Sequence, residues 1–161
     1  MKVVHIIPSL EKGGAERLAI DICRALGALE GVQVVLLVLR SKIDYKVANE
    51  NFEIKVIPST VALSLLKKNV LNVDELEQFM EEFKPDIIHS HLFQAEIVSR
   101  SISYKGAAYF SHLHSRMPQF RNLQASSLFS KKHITDFYER TYLIGRYRAL
   151  GGNRFIAIAN D

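Results

Sequence analysis

The stretch MKVVHIIPSLEKGGAER, residues 1–17, decides how this chain is read. Val3 to Ile7 is an apolar run broken only by His5, the composition of a strand buried on both faces. Gly13 and Gly14 then mark a turn. Residues 15–29 follow with Leu18, Ile22, Cys23, Ala25, Leu26 and Leu29 on one helical face. Strand, glycine turn and helix in that order open a crossover unit, the connection that parallel strands require.

The same alternation continues outward. Val32 to Leu39 reads as a second buried strand, and Phe52 to Ile57 as a third that stops at Pro58. Residues 74–84 read as a helix capped by Asp74, with Leu76, Phe79, Met80 and Phe83 as its apolar stripe and Pro85 as its stop. DIIHSH supplies a fourth strand, Gln94 to Tyr104 a weaker helix and Ala107 to Leu113 a fifth strand. Ser130 is placed to cap a long helix reaching Leu150, with Ile134, Phe137, Tyr138, Thr141 and Ile144 facing inward. Gly151 and Gly152 end it, and Phe155 to Ala159 forms a sixth strand. The expected class is α/β, a parallel sheet flanked by helices. Ligands of such sheets bind beyond the carboxyl ends of the strands. The loops to inspect are therefore Pro8 to Gly14, Ser59 to Val61, His89 to Gln94, and His112 to Met117.

At 161 residues, 48% hydrophobic and 24% charged, the chain has the size and balance of a single folded domain. Its net charge of +4 is unevenly spread: residues 1–99 hold 11 Lys and Arg against 14 Asp and Glu, and residues 100–161 hold 10 against 3. The basic half reads either as a solvated face or as a footprint for an anion such as a phosphosugar or an acidic lipid headgroup. Nucleic acid is not an expected partner, because no binding motif accompanies the charge. The single cysteine, Cys23, permits no disulfide within the chain and reads as a small buried hydrophobe, which fits a reducing compartment. The first residues lack a long apolar core and a cleavage site, so no signal peptide is expected. The longest unbroken apolar run, Val34 to Leu39, is too short to span a bilayer, so any membrane contact is peripheral.

Three groups of residues carry candidate chemistry. Gly13 and Gly14, at the head of a helix, let backbone N–H groups approach a ligand and place a phosphate in the positive end of the helix dipole. A tight turn with Glu16 balancing the dipole accounts for them equally well. The loop has neither the third glycine of a dinucleotide fingerprint nor the Gly-Lys-Ser/Thr of a P-loop. His89 and His91 end the fourth strand, and His112 and His114 the fifth. Residues two apart share a strand face, so each pair points one way. With no cysteine or carboxylate beside them, they are read as substrate-binding groups, and no metal is expected. Arg116 is either an anchor for an acceptor anion or a plain surface arginine. Lys131, Lys132, His133, Arg140, Arg146 and Arg148 surround a helix carrying Phe137, Tyr138, Tyr142 and Tyr147. That pattern fits an interfacial helix on anionic lipid or a core helix with a charged outer face. His5 is read as a satisfied core polar group.

MKVVHIIPSLEKGGAER, PDIIHSH, AYFSHLHS and FIAIAND, taken in order, resemble the N-terminal domain of retaining glycosyltransferases of the GT-B fold. This is the family-4-like, group 1 set that includes sucrose synthases, sucrose-phosphate synthases and many bacterial polysaccharide transferases. The resemblance implies a Rossmann-like, acceptor-side domain over residues 1–161, with the C-terminal nucleotide-sugar domain absent from this chain. It implies that Gly13 and Gly14 meet the donor diphosphate, that His114 lies near the transferred sugar as the catalytic histidine, and that His91 contacts the acceptor. The implied partners are a nucleotide-sugar donor and a sugar or lipid-linked acceptor, with an anionic membrane surface as a further candidate. No cofactor or metal is implied, since the nucleotide-sugar is a substrate. The implied setting is cytoplasmic or peripheral on the inner face of the membrane, in polysaccharide biosynthesis, and the fragment alone is expected to be inactive. Where the family usually has a serine after the last strand, Ala159 stands. A second function class, a non-catalytic Rossmann-like module binding a phosphorylated ligand or a partner protein, fits the same fold. A receiver-like domain does not, because Pro58-Ser59 stands where its acidic residue should end the third strand.

Overall fold

The structure, a computed structural model, describes residues 1–46, 50–64, 68–113, 119 and 131–157. Six parallel strands form one sheet: β1 (Lys2–Ile7), β2 (Gln33–Val38), β3 (Glu53–Val56), β6 (Ile87–His91), β7 (Ala108–Leu113) and β8 (Asn153–Ala157). Their order is β3-β2-β1-β6-β7-β8. This is a Rossmann-like sheet, with the reversal of winding between β1 and β6. There β1 is held on both sides, Val3 opposite Val34 in β2 and Ile87 in β6. A separate antiparallel pair, β4 (Thr60–Ala62) and β5 (Val70–Asn72), has no counterpart in the sequence expectations. Its strands are three residues long and largely exposed, so they show no alternation to read.

Among the described residues four helices cover the sheet. α1 (Gly14–Gly27) packs Ala19, Ile20 and Cys23 against Ile7, Leu36, Val38 and Phe52. On the other face α2 (Asp74–Phe83), α3 (Leu92–Ser101) and α4 (Lys131–Leu150) bury Leu76, Met80, Val98 and Leu143 with Val4, Ile6, Leu37 and Ile88. Each fully buried Leu or Ile contributes about 1.5–3 kcal/mol relative to exposure. Gly27 ends α1 where a Cβ would stand 2.5 Å from the Asn51 carbonyl oxygen, so the close approach of that segment requires glycine. α2 ends at Lys84 in the left-handed region, φ 52°, just before Pro85.

Two helix expectations are corrected. The N-cap of α2 is Val73, and Asp74 is instead the first helical residue, where its carboxylate favours the dipole without bonding an amide. The inner face of α4 is rotated from the one expected. Leu143 is fully buried, and Tyr138, Tyr142, Tyr147 and Leu150 pack on the core, whereas Phe137 is 47% exposed and Thr141 faces solvent. Polar contacts turn the helix that way. The Arg146 guanidinium donates to the Arg100 and Ile102 carbonyls at the end of α3, and the Tyr142 hydroxyl bonds Ser101 at 2.8 Å. Ser130 and Ala159 lie outside the described residues.

Candidate functional site

All six strands end on the same edge of the sheet, and the loop after β1 lies at the switch in winding. Gly13 is the N-cap of α1, extended at φ −163° and ψ 167°, and among the described residues no side chain caps the helix. The corner is partly furnished by the protein itself. The Gly13 amide donates to the Tyr45 hydroxyl at 3.3 Å, and that hydroxyl donates to the Gly13 carbonyl at 2.9 Å. A Cβ on Gly13 would run into the Glu16 carboxylate, which folds back over the loop. Gly14 differs: among the described residues, its chain neighbours and its own helix backbone aside, nothing stands within 4 Å of where its Cβ would be.

A strap holds this loop. The Leu10 amide donates to the Lys42 carbonyl at 3.0 Å, and the Asp44 amide to the Leu10 carbonyl at 2.8 Å. Lys42 pairs with Glu11 at 2.5 Å, which raises the Lys42 pKa and, with the Ser9 hydroxyl, lowers that of Glu11. Both side chains are largely exposed, so the pair itself adds little stability. Leu10 beneath it is fully buried, which anchors the loop.

Histidines from three strands gather on the α1 face of the sheet. The β1–β6 register sets His5 opposite His89, the β6–β7 register sets His91 opposite His112, and the two-residue spacing puts His89 and His91 on one face. His89 and His91 stack at 4.3 Å between ring centroids, and His89 and His112 at 5.4 Å. His5 Nδ1 stands 3.0 Å from His91 Nε2, while its own Nε2 is buried with no hydrogen-bond partner among the described residues. The expectation that His5 is a satisfied core group therefore holds for one ring nitrogen and fails for the other. Burial, and then the neighbouring His89 and His112, push the His5 pKa down to about 3, and burial lowers that of His112. His5 and His112 are thus neutral at pH 7.

Two features hold the strand tips from behind. Glu96 and Arg100 of α3 form a buried ion pair at 2.9 Å. Arg100 also donates to Ser111 at 3.0 Å and Asn153 at 2.6 Å, and Glu96 accepts from Ser111 at 2.7 Å and from Ser90. Ser90 and Ser111 directly precede His91 and His112, so this network fixes the strands that present both histidines. The second feature is Leu92, at the β6–α3 junction, whose φ of 69° lies in the left-handed region. A strained residue at a strand tip is a mark of functional corners.

Of the residues expected at the site, Gly13, Gly14 and His91 lie at this edge, with His91 fully buried. His114 and Arg116 lie outside the described residues. Tyr45, His5, Leu92 and the Glu96–Arg100 pair were not anticipated. His5 alone had a signal, once β1 and β6 are paired in register. An open groove of about 560 Å³ runs elsewhere, along α4 between Phe137, Arg140, Ile144 and Arg148. Most of the aromatic residues of α4 belong to the core, which leaves Phe137 as its exposed ring. Among the described residues no helix is long and apolar enough to cross a membrane.

Residues 12–159 match the sequence profile described as Glycosyltransferase Family 4. Among solved structures, Alr3699/HepE of Anabaena in complex with UDP and glucose aligns with a TM-score of 0.58 at 19% identity, over 100% of this chain and 45% of that one. The same protein in complex with UDP-glucose aligns with a TM-score of 0.56 at 18% identity, over 100% and 44%. At such identity the likeness concerns the fold, and this chain spans less than half the length of those structures. No curated protein sequence matches it.

Proposed function

This chain belongs to Glycosyltransferase Family 4, and on that premise we propose that it is the acceptor-side half of an enzyme that moves a sugar from a nucleotide-sugar to a glycan, lipid-linked or small-molecule acceptor with retention of configuration. A second Rossmann-like domain supplies the nucleotide pocket, and this half closes on the donor diphosphate. The observation that carries the reading is the head of α1 at the winding switch, where among the described residues no side chain caps the helix and none fills the space in front of Gly14. UDP and glucose in the Anabaena relative support a nucleotide-sugar as the donor.

In the proposed reaction the bond between the anomeric carbon and the diphosphate breaks, and the diphosphate leaves with the bonding pair. The acceptor oxygen bonds to that carbon, and its proton passes to the departing phosphate. Helix amides and dipole stabilise the charge that develops, so the step calls for neither a protein base nor a metal. The Tyr45 hydroxyl and Glu16 carboxylate hold the corner until the donor displaces them. His114 lies beside the transferred sugar in this proposal, and Arg116 holds an acceptor anion. His91 is buried, which confines a direct acceptor contact to a state in which the strand tips open. We place the enzyme in the cytoplasm with its basic half toward an anionic membrane, a reading supported by the exposed Lys132 and His133 beside Phe137.

A donor screen on a polypeptide carrying both halves, reading released nucleotide, tests the proposal. Turnover with at least one nucleotide-sugar is expected. Absence of turnover with every donor, or a parent without a second such domain, would overturn it. Binding to anionic vesicles that weakens with salt tests the membrane contact, and no binding at low salt removes it.

A further inference from the structure

Of the histidine cluster, the proposed transfer chemistry uses only His91, and that only in a state in which the strand tips open; in the closed arrangement His91 is fully buried among the other rings. We propose that His5, His89 and His91 form a binding site for a borderline divalent metal ion, of the class of Zn²⁺ or Co²⁺, built across the β1–β6 pair.

One ligand nitrogen from each of the three rings lies within 4.8 Å of the others. A tetrahedral ion about 2.05 Å from each nitrogen needs them about 3.3 Å apart. His5 Nδ1 and His91 Nε2 already stand 3.0 Å apart, so modest ring rotation brings in His89. The frame is rigid, since the three residues sit on two adjacent parallel strands whose register is fixed. Rigid elements are what hold a metal site to its geometry.

The donor set selects the ion. Three imidazoles without a carboxylate suit Zn²⁺, Co²⁺, Ni²⁺ or Cu²⁺ and disfavour Mg²⁺ and Ca²⁺, which take oxygen ligands. His112 stands beside the three, its ring centroid 5.4 Å from that of His89 and 5.3 Å from that of His91, and the fourth position of the ion is left to a ligand from outside the three rings. A water or small anion fills that position.

Titration of the chain with Co²⁺ tests the site. Saturable, intense visible d–d absorption of a four-coordinate ion is expected, together with competition by Zn²⁺ and none by Mg²⁺. His5→Gln and His89→Gln should each weaken cobalt affinity at least about tenfold, while His133→Gln on the surface of α4 leaves it unchanged. X-ray absorption on the wild-type cobalt form should count three imidazoles, which keeps the test open if a variant does not fold. No absorption band, a band untouched by both variants, or one lost in His133→Gln would overturn the proposal.

Discussion

The Tyr45 hydroxyl bonds the amide and the carbonyl of Gly13 at once, at 3.3 and 2.9 Å. A residue far along the chain thus occupies the donor that the glycine turn would offer to a phosphate. A hydroxyl is neutral and readily exchanged, whereas a diphosphate brings charge to the helix dipole. The contact therefore holds the loop without closing it to a ligand.

Tyr45→Phe removes that contact and keeps the ring. The chain should lose about 0.5–1.5 kcal/mol in urea unfolding, the worth of an ordinary hydrogen bond. Hydrogen exchange at the Gly13 amide should also quicken. Unchanged exchange would mean that the bond is not made in solution.

Gly14→Val places a branched side chain where the fold leaves room, so the stability of the chain should change by less than about 0.5 kcal/mol. In the two-domain enzyme proposed above, the same change should abolish transfer by blocking the approach of the diphosphate. Full turnover in that variant would remove the phosphate role of the loop.

Arg100→Met strands the Glu96 carboxylate in the core. A loss of about 3–5 kcal/mol is expected by chemical denaturation, the cost of breaking a buried pair from one side. Arg100→Lys should recover only part of it, because an ammonium cannot reach Glu96, Ser111 and Asn153 with one planar fork.

Leu92→Gly should be more stable than Leu92→Ala by about 1 kcal/mol, the reverse of the usual helical order. A φ of 69° penalises any Cβ and spares glycine. Urea midpoints of the two variants decide the point.

Acid should weaken the metal-free chain through His5. The unfolded chain binds that proton near the ordinary value of 6.5, and the fold refuses it until about pH 3. Between those values the unfolded state holds more protons, so stability falls as pH falls, by about 1.4 kcal/mol per unit. Above pH 6.5 the group contributes no slope. His5→Gln, measured with chelator present, should flatten the decline.

Periodicity carried the sheet because buried parallel strands are continuous apolar runs, as in Val34 to Leu39, and because glycine and proline punctuate them. The β4–β5 pair escaped for lack of length. The face of α4 was misjudged because Tyr142 and Arg146, which were not on the expected inner face, spend their polar ends on Ser101 and the carbonyls at the end of α3. The place of Gly13 and Gly14 at the head of α1 was legible from local sequence. Tyr45 was not, since its contact depends on where the strap after β2 returns. His5 joins the other histidines only through strand register, which a single strand cannot announce.

The place of β1 in the middle of the sheet has a consequence for synthesis. Of the strands of this sheet β1 is made before its neighbours; it can pair early with β2, but its other side stays open until the chain has grown past Ile87. Assembly governed by such distant partners is slow. A nascent chain halted before that residue presents a bare apolar strand to chaperones, and restoring the segment from Ile87 to His91 is what should release it.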